Sequence, residues 1–102
     1  MFDITDEQKA KIVALLRVAI PDADYYVYGS RARGEARKLS DLDIMIKSHD
    51  QKRIPMMAFG EAVELLSASN LPFRVDLNDY HSTDPDFIRM IEQGFVALAN
   101  SR

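Results

Sequence analysis

The chain has 102 residues, 47% of them apolar and 28% charged, with a net charge of −3 and no cysteine. That length supports one buried core and not two, so a single domain over residues 1–102 is expected. The lack of cysteine excludes disulfides and thiolate zinc sites, and the acidic balance argues against direct, sequence-independent nucleic-acid binding.

No stretch approaches the length needed to span a bilayer, and the acidic opening Met-Phe-Asp-Ile-Thr-Asp-Glu lacks the basic-then-apolar order of an export signal. A cytoplasmic location with no membrane contact is the expectation. Thr5 followed three residues later by Gln8 has capping-box spacing, and Ile12, Leu15, Leu16 and Ala19 then share one face of a helix that Pro21 ends. Residues 25–28 are aromatic and β-branched and predict a short strand stopping at Gly29, before a short helix. A second strand is expected over 42–47. After a polar connection, a helix from about 55 to 67 carries Phe59, Val63 and Leu66 at helical spacing, and 73–78 reads as a third strand. Asp84 before Pro85 has the order of an N-cap and first helical position, with Phe87, Ile88 and Ile91 at apolar positions and Gly94 as the stop. Residues 95–99 complete the order as a short edge strand.

The strand period of two sorts the side chains. Leu42, Ile44 and Ile46 point to one side of the second strand, and Asp41 and Asp43 to the other. In the third strand Phe73, Val75 and Leu77 alternate with Arg74, Asp76 and Asn78 in the same way. If both apolar faces cover one core, Asp76 stands beside Asp41 and Asp43.

Crowded carboxylates need a counter-charge, and an all-oxygen set suits hard divalent cations that also bind phosphate oxygens. A pair of such ions clamps the attacking and leaving oxygens of an in-line displacement. Around Gly29 and Ser30 the sequence supplies the complement: a glycine that admits close backbone approach, N–H groups at a helix start, and the cations Arg31, Arg33, Arg37 and Lys38 against the single acid Glu35. Acids for metal ions and donors for a polyphosphate thus lie within residues 28–46.

Gly29-Ser30, Gly34, Ser40-Asp41-Leu42-Asp43 and the distant strand residue Asp76 resemble the signature of the polymerase β-like nucleotidyltransferase superfamily. On a chain of this length, Gly-Ser-Arg-Ala-Arg-Gly is similar to its minimal nucleotidyltransferases, the antitoxin partners of small helical HEPN-domain proteins. The resemblance implies an α+β fold, a small mixed β-sheet with helices packed on one face. It also implies that Asp41, Asp43 and Asp76 ligate two magnesium ions, with Asp76 helping to deprotonate the attacking hydroxyl. Gly29 and Ser30 would hold the terminal phosphates of ATP or another nucleoside triphosphate, with Arg31 and Arg33 beside them. By the same resemblance the reaction is transfer of AMP to a tyrosine of an adjacently encoded HEPN-type partner, in a hetero-oligomer. Two alternatives stand beside it: a non-catalytic nucleotide-binding subunit that neutralises its partner, and a transferase with a small-molecule acceptor.

Other residues have plainer readings. Arg74 either joins the acidic face or pairs with an aspartate, and His49 and His81 lack ligand-spaced companions and are expected on the surface. Met56, Met57 and Phe59 suit core filling or an adaptable partner surface.

Overall fold

The computed structural model describes residues 4–29 and 41–99. The expected short helix after Gly29, and with it Ser30, Arg31, Arg33, Arg37 and Lys38, lies outside the described residues. Helix α1 (Asp6–Ala19) begins with the expected capping box: the Gln8 amide donates to Thr5 Oγ1 at 3.0 Å, and the Thr5 amide donates to Gln8 Oε1 at 2.9 Å. Asp6 and Glu7 in its first turn and Arg17 in its last match the helix dipole.

Strands β1 (Ala23–Tyr28) and β2 (Leu42–Ser48) follow, then helix α2 (Met56–Ser67) and strand β3 (Val75–Asp79). A 3-10 turn at Tyr80–Ser82 leads to α3 (Pro85–Ile91), a second 3-10 turn at Glu92–Gly94, and β4 (Val96–Ala99). The strand order is β3-β2-β1-β4. β1 runs antiparallel to both β2 and β4, whereas β2 and β3 are parallel and α2 forms their crossover.

One face of the sheet meets α1 and α2, in line with the expectation of helices packed on one face, from which only the short α3 departs among the described helices. Ala23, Tyr25 and Val27 of β1, Leu42, Ile44 and Ile46 of β2, Leu77 of β3 and Leu98 of β4 pack there against Ile12, Leu16, Ala62 and Leu66. Truncating a fully buried member such as Ile44 to alanine would cost about 2–5 kcal/mol. Tyr25 ties the layers together: its hydroxyl donates to the Ile20 carbonyl, and the Arg17 guanidinium lies 5.0 Å over its ring.

The two-turn α3 does something different. Its Ile88 packs with Tyr28 and Met45, which project from the opposite face, and Tyr80, Ile91 and Phe95 border that smaller cluster. Helix phase also departs in detail from the expected pattern. Ala62 is buried and Val63 is exposed, because the inward stripe of α2 runs through Phe59, Ala62 and Leu66. Phe87 is likewise exposed, leaving Ile88 as the buried residue of α3. Phe59 packs on the core, whereas Met56 and Met57 are each 88% exposed. The ladder of β3 starts at Val75, two residues later than expected, although Phe73 still packs against the core. Among the described residues no helix is long and apolar enough to cross a membrane.

Candidate active site

The parallel register of β2 and β3 sets Asp43 opposite Asp76, and the antiparallel register of β1 and β2 sets Tyr28 opposite Asp43. Because strand side chains alternate, Tyr28, Asp43 and Asp76 form one row across three strands on the face away from the main core. One pleat toward the start of β2, Asp41 and Arg74 form the next row and an ion pair, with Arg74 Nη2 3.3 Å from Asp41 Oδ2. On the other side, the Asn78 amide reaches from β3 and donates to Tyr28 Oη at 2.8 Å.

The row is electrostatically crowded. Burial, then the charges of Asp76 and Asp41, push the Asp43 carboxyl above its ordinary range. Burial, then Asp43 and Asp76, push the Tyr28 phenol up to about 12. Gly29 closes in from the end of β1 at φ +81°, where a Cβ would fall 2.7 Å from Asp43 Oδ2. Glycine is required twice over: for the left-handed backbone, and to let the chain press against a carboxylate.

An oxygen-only donor set carrying unneutralised negative charge fits a hard divalent cation and not a soft one. Asp43 and Asp76 are brought together. Asp41 is held by Arg74, and among the described residues no three acids or histidines gather closely enough to form a metal-binding group. Arg74 therefore both shares the acidic face and pairs with an aspartate. Gly29 sits at the carboxylates, while the expected phosphate-binding residues Ser30, Arg31 and Arg33 lie outside the described residues.

Other polar residues stay apart. His49 Nε2 lies 3.0 Å from Asp24 Oδ1 at the far end of the sheet, and the Tyr80 hydroxyl donates to Glu92 with Lys47 Nζ 4.6 Å from its ring centre. Asp79 is buried for structural reasons: it accepts from the Ile54 amide at 2.8 Å, and from the His81 amide and the Ser82 hydroxyl at 3.0 Å each. Tyr28 and Asn78 did not stand out by residue type. Their signal was strand phase, since both alternate onto the face of the aspartates.

Residues 10–101 match the family model described as Polymerase beta, Nucleotidyltransferase. The chain belongs to the polymerase β nucleotidyltransferase family. This nucleotidyltransferase is 36% identical over 96 residues to the probable protein adenylyltransferase MntA of Haemophilus influenzae, a match covering 94% of the present chain and 82% of MntA. Its fold is similar to a toxin-antitoxin crystallised with AMP-PNP, with TM-score 0.74, 28% identity, and 92% and 74% of the two chains covered. It is also similar to a complex of a tri-AMPylated Shewanella oneidensis HEPN toxin with its MNT antitoxin, with TM-score 0.70, 25% identity, and 96% and 74% covered. The nucleotidyltransferase thus has the α+β fold expected of the polymerase β-like group, and it is an enzyme of that class.

Proposed function

We propose that this nucleotidyltransferase is the antitoxin of a toxin-antitoxin pair, transferring AMP from ATP to a tyrosine hydroxyl of a small helical HEPN-type partner. The carrying observation is the Asp43–Asp76 pair, set in register and pressed by Gly29, an arrangement that stability alone disfavours. The named activity of MntA, the AMP-PNP complex and the AMPylated toxin support the reading.

In this reading Asp41, Asp43 and Asp76 would hold two magnesium ions, which when bound would neutralise phosphate charge and activate the attacking hydroxyl. Gly29 and Ser30 cradle the terminal phosphates, with Arg31 and Arg33 adding positive charge. Asp76, exposed at the end of its row, takes the proton of the incoming hydroxyl as that oxygen bonds to the α-phosphorus and the bond to pyrophosphate breaks. Arg74, exposed beside Asp41 on the same face, would also be within reach of an anionic phosphate.

Co-expression with a neighbouring helical reading frame, followed by size-exclusion chromatography and intact mass measurement, tests the proposal. The expected result is a stable complex whose partner gains AMP, and an Asp76→Asn complex that still forms but leaves its partner unmodified. Absence of a complex, or efficient modification of a small molecule by the isolated chain, overturns it.

A further inference from the structure

The hydroxyl of Tyr28 is placed by a bond that spans three strands. Tyr28 belongs to β1 and Asn78 to β3, whose backbones lie about 9.6 Å apart with β2 between them, so a 2.8 Å contact requires the Tyr28 ring to lean across β2. Met45 on β2 and Ile88 on α3 pack against the ring, and Phe95 lies 6.0 Å away, centre to centre. Its position is therefore fixed on the side toward Asp43 and Asp76.

The direction of the bond matters more than its length. An asparagine Nδ2 can only donate, so the phenol oxygen accepts and its own proton remains to be given away. Among the described residues the hydroxyl donates to none. We infer that Tyr28 is a substrate-binding residue of the transfer site, its O–H donating to an oxygen of the phosphate group undergoing transfer. This rests on the nucleotidyl-transfer reading above. The acceptor follows from chemistry: the row is acidic, a phosphate joins it only with its cations, and a neutral donor among carboxylates is the group that can bond a phosphate oxygen without repelling those cations. Asn78 is then a positioning residue, occupying the oxygen's lone pair so that the proton points outward. In the step itself the acceptor oxygen bonds to phosphorus, pyrophosphate departs with its bonding electrons, and Asp76 takes the proton. Tyr28 keeps its own proton throughout and contributes a hydrogen bond.

Isothermal titration of the purified chain with α,β-methylene ATP in magnesium, and with magnesium alone, tests the assignment. Tyr28→Phe keeps the ring and its packing, and it should weaken the nucleotide analogue at least about tenfold while leaving magnesium alone within about twofold. Asn78→Ala should weaken the analogue less, and adding it to Tyr28→Phe should cost nothing further. Ligand-free melting checks that each variant is folded, and the Asn78→Ala arm decides if Tyr28→Phe is not. Unchanged analogue binding by Tyr28→Phe overturns the inference alone, as does an equal loss of magnesium and analogue, which would make the phenol a prop for the carboxylates. A wild-type chain that binds neither overturns the inference together with the proposed function.

Discussion

Asp43 and Asp76 face each other as a register pair on adjacent parallel strands, and the Asp43 carboxyl is held above its ordinary range by burial and by that facing charge. Like charges placed opposite in a sheet destabilise it. Nearby Arg74 is committed to Asp41 in the neighbouring row. The sheet thus holds unfavourable electrostatics at the position where a cation would relieve them, and removing one charge should separate stability from activity.

Asp43→Asn keeps the volume and removes the charge. Transfer activity should be lost, while the metal-free protein gains about 0.5 kcal/mol at neutral pH, or roughly 2–4 °C in melting midpoint. The pH dependence follows from the raised carboxyl. The folded state binds that proton more tightly than the unfolded state, so its contribution is present in acid and is lost as pH rises through the folded value. The variant's advantage should accordingly vanish near pH 3, where the carboxyl is protonated in both states. Thermal melts of both proteins at pH 3 and pH 7 read this directly; equal midpoints at pH 7 would contradict it.

Two glycines should respond oppositely to one methyl group. At Gly29 an alanine meets a left-handed backbone and an oxygen at 2.7 Å, a combination expected to cost about 1–3 kcal/mol and to displace Asp43. Gly60 lies within α2 with nothing within 4 Å of an added Cβ, so Gly60→Ala should stabilise by about 0.5–1 kcal/mol. Urea titration of the two variants gives both signs in one experiment. A neutral Gly29→Ala would mean the turn can relax away from the carboxylate.

The contrast between these positions shows what local pattern can carry. The common face of Asp41, Asp43 and Asp76 follows from a period of two and one shared core, and the Thr5 box from four consecutive residues; both were legible. The choice between Ala62 and Val63 on α2 was not, because neighbouring positions straddle the edge of a stripe and only packing against α1 and the sheet decides which turns in. Nor does a two-turn amphipathic helix declare which face of a sheet it will cover, so α3 over Met45 was beyond the pattern. Arg74 had two open readings because an ion pair depends on register between segments 33 residues apart in sequence. Asp79 was hidden for the opposite reason. A charged residue ending a strand looks solvated, and its three donors come from the segment before α2 and the turn after β3.

That buried carboxylate should matter for stability. Asp79→Ala should destabilise by about 2–4 kcal/mol, because the Ile54 amide loses its buried acceptor and the 3-10 turn loses its cap. Asp79→Asn, which retains one acceptor oxygen, should cost less. Denaturant midpoints of the pair measure what these bonds contribute; a loss below about 0.5 kcal/mol for Asp79→Ala would show that they contribute little to stability.

The phenol that faces the acids should govern part of the protein's stability at alkaline pH. An unfolded tyrosine titrates near 10, whereas burial and the charges of Asp43 and Asp76 push Tyr28 up to about 12. The folded protein therefore holds the proton that the unfolded chain has begun to release, and the associated stability is intact below about pH 10 and lost as pH rises through about 12. At pH 11 the loss from this one group is about 1 kcal/mol. Tyr28→Phe has no proton to release there. Its stability should fall less between pH 9 and pH 11 than that of the wild type, although some decline remains because burial also raises Tyr25, Tyr26 and Tyr80. Urea midpoints at the two pH values measure the difference, and absorbance at about 295 nm should show one late-ionising tyrosine missing from the variant. Parallel declines in the two proteins would show that Tyr28 ionises like an exposed phenol, and that Asp43 and Asp76 do not act on it.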